Sequence, residues 1–330
     1  MSAMYSLFLV LGLVLIALVG AGGLGWHSLF GVWIPAVAFL IFVVGFVLKV
    51  LAWGRSAVPF KIPTTCGQQE TIPGFKQAKL DNPSSTLGVI GRMLLEVLFF
   101  RSLFRNTKME LHGGSKLSFG SAKWLWLGAL AFHWSFLIIV LRHMRFFTAP
   151  VPEFVLGLEF LDGLLQVGAP VLYLTDLVIL VAVTYLFLRR VLLPNMRYIS
   201  LPSDYFPLLL ILGIVVSGIF MRFFLKTDLP SIKLLTMGLV TFAPVVPEGI
   251  GTIFYVHLFL VSVLLIYFPM SKLMHMGGVF LSPTRNLAND TRKKRHINPW
   301  NYPVKVHTYE DYEDEFREKM IECGLPVDKE

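Results

Sequence analysis

Four of the eight histidines in this 330-residue chain lie inside long apolar stretches, and their spacing could do chemistry. His133 and His143 stand ten residues apart on one stretch, and His257 and His275 stand eighteen apart on another. On helices rising 1.5 Å per residue these separations are about 15 Å and about 27 Å. Eighteen residues is five full turns, so His257 and His275 share a face, whereas His133 and His143 are offset by roughly 80°. An intramembrane imidazole hydrogen-bonds between helices, relays protons or ligates a metal group. Two pairs separated across a bilayer suit two iron porphyrins, each taking one ring from each helix. Zinc or copper would need its donors gathered in one site. His27, His112, His296 and His307 fall outside the spans or at loop edges and read as solvated side chains.

The elements that must position these rings are membrane helices. The chain is 55% hydrophobic and only 15% charged, with a mean hydropathy of +0.68, too apolar for a soluble globule. Six stretches are long enough to cross a hydrocarbon core: 5–24, 30–53, 124–147, 169–188, 206–225 and 249–276. The first lacks a basic leader and runs almost directly into the second, so it reads as a retained helix and not a signal peptide. The expected fold is therefore all-α, a polytopic bundle of about six spans.

Charge fixes the direction of each span. Segment 54–122 holds nine Lys or Arg, whereas 148–168 holds none and carries Glu153, Glu159 and Asp162. The positive-inside rule makes 54–122 cytoplasmic, and the same rule places Arg189, Arg190, Arg197, Lys272 and the run from Arg292 to Arg295 inside. Both termini are then cytoplasmic in a multi-pass protein of the cytoplasmic membrane. The net charge of +8 thus reflects topology and lipid headgroups, with no need for nucleic acid. Span three runs outward and span six inward, which pairs His133 with His275 on the inner side and His143 with His257 on the outer side. Each pair becomes the expected axial ligand set of one haem b. Pro269, between His257 and His275, is expected to kink span six.

The chain divides into two N-terminal helices (1–53), a basic cytoplasmic insert (54–122), a four-helix di-haem region (123–278) and a polar tail (279–330). Within the insert, residues 86–105 are strongly apolar but interrupted by Arg92, Glu96, Arg101 and Arg105, which suits an interfacial helix. The tail reads as a partner-docking or partly disordered extension. Cys66 and Cys323 cannot hold an iron-sulfur cluster needing four thiolates, so any cluster belongs to a partner. Cys66 has two readings, part of an electron exit or an incidental turn thiol.

Near the outer end lie Arg142, Arg145, Tyr173, Asp176, Arg222 and Lys226, candidates for binding haem propionates, holding a quinone oxygen or taking a proton. Interfacial anchoring and interhelical pairing are the plainer roles. Asp176 is the more unusual, about two turns inside span four with no charged neighbour in sequence.

These histidine spacings resemble those of the cytochrome b, or gamma, subunit of respiratory nitrate reductases, where two helices each supply two haem ligands. Spans two to six look like that five-helix unit, with span one as an addition. The motif PFKIPTTCGQQ at residues 59–69 is similar to the M-subunit family of the Dsr complexes of sulfite reduction. The resemblance implies two haems b, menaquinol as electron donor, and a cytoplasmic iron-sulfur partner related to heterodisulfide reductase. Further membrane and extracytoplasmic subunits would complete such a complex. A heterodisulfide reductase cytochrome b using methanophenazine is the nearest alternative, and an ion or proton transporter the main unrelated one.

Overall fold

A 21-residue α-helix is about 32 Å long, enough to cross a hydrocarbon core while satisfying its own backbone polar groups. The computed structural model describes residues 2–56, 67–114, 116–164, 171–293 and 306–329, and builds a bundle of such helices. α1 (Ser2–Ala17) continues through a π-helical turn to Gly23, and α2 (Ile34–Gly54) is preceded by a similar turn from Leu29. The insert supplies α3 (Thr86–Phe99), α4 (Arg101–Arg105) and a hairpin of β1 (Thr107–His112) with β2 (Lys116–Ser121). Then come α5 (Lys123–His143), α6 (Glu153–Asp162), α7 (Leu174–Leu192), α8 (Pro194–Ile199) and α9 (Pro202–Ile219). A π-helical turn from Phe220 to Leu225 extends α9. The chain continues as α10 (Leu229–Val240), α11 (Thr252–Tyr267), α12 (His275–Leu281), α13 (Pro283–Asn286) and α14 (Tyr309–Glu322).

Five of the helical stretches are long and apolar enough to span a membrane, those of α1, α2, α5, α9 and α11. The sixth expected span is α7, 19 residues long, with Asp176 near its start and Arg189 and Arg190 near its end. It packs between α5 and α9, so it belongs to the same bundle. α9 in turn packs against α1 and α11, and α11 against α2. Outward-facing Phe8, Leu15, Phe39, Leu40 and Leu48 are each about 60% exposed, an apolar exterior suited to a bilayer.

Span six differs from the single kinked helix expected over 249–276. α11 ends at Tyr267, a 3₁₀ turn covers Phe268–Met270, Ser271 is extended, and a second 3₁₀ turn covers Lys272–Met274 before α12 begins at His275. His257 and His275 therefore sit on separate helices. The cause is Pro269, which cannot donate to the helical ladder. Gly45 of α2 makes room for it, since a Cβ there would lie 2.7 Å from the Pro269 ring.

The insert is more than an interfacial helix. α3 starts on a Ser85 cap that accepts the Gly88 amide, and it stops where Phe100 takes a left-handed conformation, φ 51°. Its Arg92, only 2% exposed, donates to the carbonyls of Asp81, Arg285 and Leu287. Asn289 donates from its backbone to Pro83 and from its side chain to Asn82. The segment after α12 is thereby clasped to the insert. Indole nitrogens of Trp126 and Trp134 on α5 donate to the Phe99 and Leu98 carbonyls, fixing α3 to the bundle. In the tail, α14 is a folded helix whose Glu313 accepts the Asp328 and Lys329 amides. Cys66 and most of the 59–69 motif, with His296, lie outside the described residues.

Candidate functional site: two facing histidine pairs and a polar cluster

The four intramembrane histidines meet in two couples. The ring centres of His133 and His275 are 5.9 Å apart with planes crossed at 78°, and those of His143 and His257 are 6.5 Å apart and nearly parallel, at 12°. For comparison, a metal bound to two imidazoles at about 2.0–2.1 Å places their ring centres about 6.3 Å apart.

Each ring is held from behind by its Nδ1. In His133, His143 and His275 this atom hydrogen-bonds the carbonyl of Ala129, Ile139 and Lys272 respectively, at 2.7–2.8 Å. A carbonyl can only accept, so Nδ1 carries the hydrogen and Nε2 keeps its lone pair. His257 instead meets the Ser217 hydroxyl at 2.9 Å. That hydroxyl also lies 2.9 Å from the Ile214 carbonyl, to which it donates, so it accepts from His257. All four rings thus offer Nε2 as a ligand in the tautomer that ligation requires. Gly218 lets α9 approach this ring, a Cβ there lying 3.4 Å from His257 Cε1. Phe100 and Phe132 meet His133 edge-on at 4.9 and 5.1 Å. Among the described residues, no group of three or more His, Cys, Asp or Glu could hold a bare metal ion.

All six polar candidates lie together beside the second pair. Arg142, Arg145, Tyr173, Asp176, Arg222 and Lys226 line one cavity of about 890 Å³ with His143 and His257, between walls of Phe, Ile, Val and Leu. That is a volume and character typical of a small-molecule site. Arg142 organises it. Its guanidinium pairs with Asp176 at 2.9 Å and Asp162 at 2.9 Å, and donates to Thr175 at 3.2 Å. Thr175 donates its amide and hydroxyl to Asp162 at 2.8 and 2.6 Å. Asp176 is thus not isolated inside the bundle: its partner is on α5, 34 residues away in sequence.

The Tyr173 ring has the Arg142 guanidinium 3.8 Å and the Arg222 guanidinium 4.1 Å from its centre. Arg222 also donates to the Val171 carbonyl. The Tyr173 hydroxyl donates to Glu159 at 2.5 Å, and the same carboxylate pairs with Arg145. Lys226, left-handed at φ 44°, ends the π-helical turn of α9 at the cavity wall.

Asp162, Glu159, Thr175 and Ser217 escaped sequence reasoning as site residues. The two acids had served only as topology markers for the 148–168 connection, and the signal that could have found them is their i, i+3 spacing, which puts both on one face of a short helix. Nothing in sequence singles out Ser217.

A polytopic helical bundle with two histidine couples facing one another between its helices defines this chain as an all-α membrane protein. The family model of the nitrate reductase gamma subunit matches residues 90–291, and this chain belongs to that family. Over 280 residues it is 48% identical to the Hdr-like menaquinol oxidoreductase cytochrome b-like subunit of Archaeoglobus fulgidus, covering 83% of each chain. The protein of the same name from Archaeoglobus profundus is 46% identical over 275 residues, 81% of each.

Proposed function

We propose that this chain is the di-haem cytochrome b subunit of a menaquinol oxidoreductase. It takes electrons from menaquinol at one membrane face and passes them to a cytoplasmic iron-sulfur subunit related to heterodisulfide reductase, in sulfur or sulfite respiration. The observation that carries the reading is the two histidine couples, 5.9 and 6.5 Å between ring centres, with every Nε2 free to bind iron. His133 with His275 and His143 with His257 would each hold one haem b, whose iron supplies a one-electron carrier. The names of the two archaeal relatives support menaquinol as donor.

The bundle end where α5 begins, α7 ends and Lys272 pairs with Asp204 collects the basic residues, which supports a cytoplasmic placement for it and for both termini. His133 and His275 then form the inner couple, below Phe100 and the insert where a cytoplasmic partner would dock. His143, His257 and the cavity face the other side. Menaquinol binds there between apolar walls, while Arg142, Arg145, Arg222 and Lys226 supply donors to propionates or to a quinone oxygen. Asp176 holds Arg142 in place and takes part in proton or quinone binding. Proton release on that face would make electron transfer charge-separating.

Purification from native membranes with an optical spectrum tests the reading. A reduced b-type α-band and a copurifying iron-sulfur subunit are expected, and a colourless protein would overturn it. Replacing His143 by Ala should remove one haem and quinol-driven reduction together. If quinol still reduces the remaining haem at the wild-type rate, the entry site is wrong. Asp176→Asn should slow quinol oxidation about 100-fold, and a wild-type rate removes Asp176 from the proposal.

A further inference from the structure

Three carboxylates gather around Arg142 and Tyr173, and their partners differ. Asp162 is buried and committed on every side, to Arg142 and to the amide and hydroxyl of Thr175. Asp176 is bonded to Arg142 and looks into the bundle. Glu159 belongs to α6, beyond the span of α5, and its side chain is 24% exposed while also lining the cavity. The Tyr173 hydroxyl, from a ring that is itself buried, donates to it at 2.5 Å. One phenol and one carboxylate therefore join the cavity to the exposed surface of α6, with no gap between them.

We propose that Tyr173 and Glu159 form the proton exit of this site, with Glu159 as the terminal proton acceptor; this rests on the quinol-oxidising function proposed above. A quinol hydroxyl donates to Tyr173 Oη as the Tyr173 proton moves to Glu159. The quinol O–H bond breaks, the phenol is restored, and the carboxylate becomes neutral until it releases its proton to solvent. Two such transfers accompany the two electrons of quinol oxidation; a haem held by His143 and His257 would supply the one-electron acceptor, and the quinol leaves as quinone. Arg142 and Arg222 lie against the Tyr173 ring and hold it in place between the cavity and Glu159. Arg145, paired with Glu159, holds the carboxylate beside the Tyr173 hydroxyl.

The test compares reduction by a menaquinol analogue with reduction by dithionite, which needs no proton exit. In Glu159→Gln and Tyr173→Phe the dithionite-reduced spectrum and haem content should match wild type, and an inhibitory quinone analogue should still bind. Quinol-driven haem reduction should fall about 100-fold or more, and Glu159→Asp should recover part of the rate. A normal quinol rate in either variant, with wild-type reducible by quinol, overturns the relay alone. If wild-type haem is not reduced by quinol at all, the functional reading falls and the relay with it. Should Glu159→Gln lose haem through misfolding, Tyr173→Phe decides by the same two rates.

Discussion

The four imidazoles differ in the angle each ring makes with its partner, and ligand-plane angle governs the electronic structure of low-spin ferric haem. Crossed rings leave the iron d orbitals nearly degenerate, whereas parallel rings split them. The 78° and 12° couples should therefore give two resolved ferric EPR signals, the larger maximum g value coming from the His133 and His275 centre. His133→Ala should abolish that signal and leave the other; two superimposed signals would contradict the ring geometry. Ser217 is the one side-chain acceptor among the four Nδ1 partners described. Ser217→Ala should weaken haem binding at His257 by about 10–100-fold, read as sub-stoichiometric haem after purification. At this scale the sequence was most legible: helix direction was enough to expect which rings face each other, although the spacing of 18 presupposed one helix where there are two. Ser217 was invisible, because a serine in an apolar helix back-bonds its own turn far more often than it serves a neighbour.

Among the elements, the segment from Pro269 to His275 departs furthest from a regular helix, and Gly45 is what admits it. Gly45→Val would press on the Pro269 ring and should cost about 1–3 kcal/mol, lowering the midpoint of thermal unfolding and the occupancy of the His275 haem. Helix existence was readable from hydropathy, and so was the kink, but not the complete break, since a proline inside a span tells where a ladder weakens and not how far the chain departs. α6 and α10 were missed for a related reason. Both are short connections that gain their order from the bundle, as when Thr236 of α10 donates to the Phe146 carbonyl. In the insert, burial of Asp81 opposes its ionisation, but Arg101 and Arg105 outweigh it and hold its carboxyl below the ordinary 3.8. Its contribution to docking α4 is therefore present above that value and lost as pH falls through the lower folded one. Amide exchange of residues 67–105 should accelerate below pH 3.8 while that of the spans stays slow; uniform exchange would refute the link.

For the whole molecule, the reading of sidedness has a direct check. Cys323 is exposed in the tail, so a membrane-impermeant thiol reagent should label it in inverted vesicles and not in intact cells, while a Glu153→Cys variant, made with Cys66 and Cys323 replaced, should show the reverse. Labelling of both from one side would invert the orientation of every histidine couple. Bundle architecture was legible because lipid demands long apolar helices; the clasp between insert and C-terminal segment was not, because it depends on polar atoms distant in sequence. That clasp also sets an order of biogenesis. Asn82 must wait for Asn289, 207 residues later, or about 10–40 s of synthesis at ordinary translation rates. By then every span has left the ribosome. The surface beneath His133 is thus completed only on a fully threaded chain, and a truncated or stalled product would lack the clasp that finishes it.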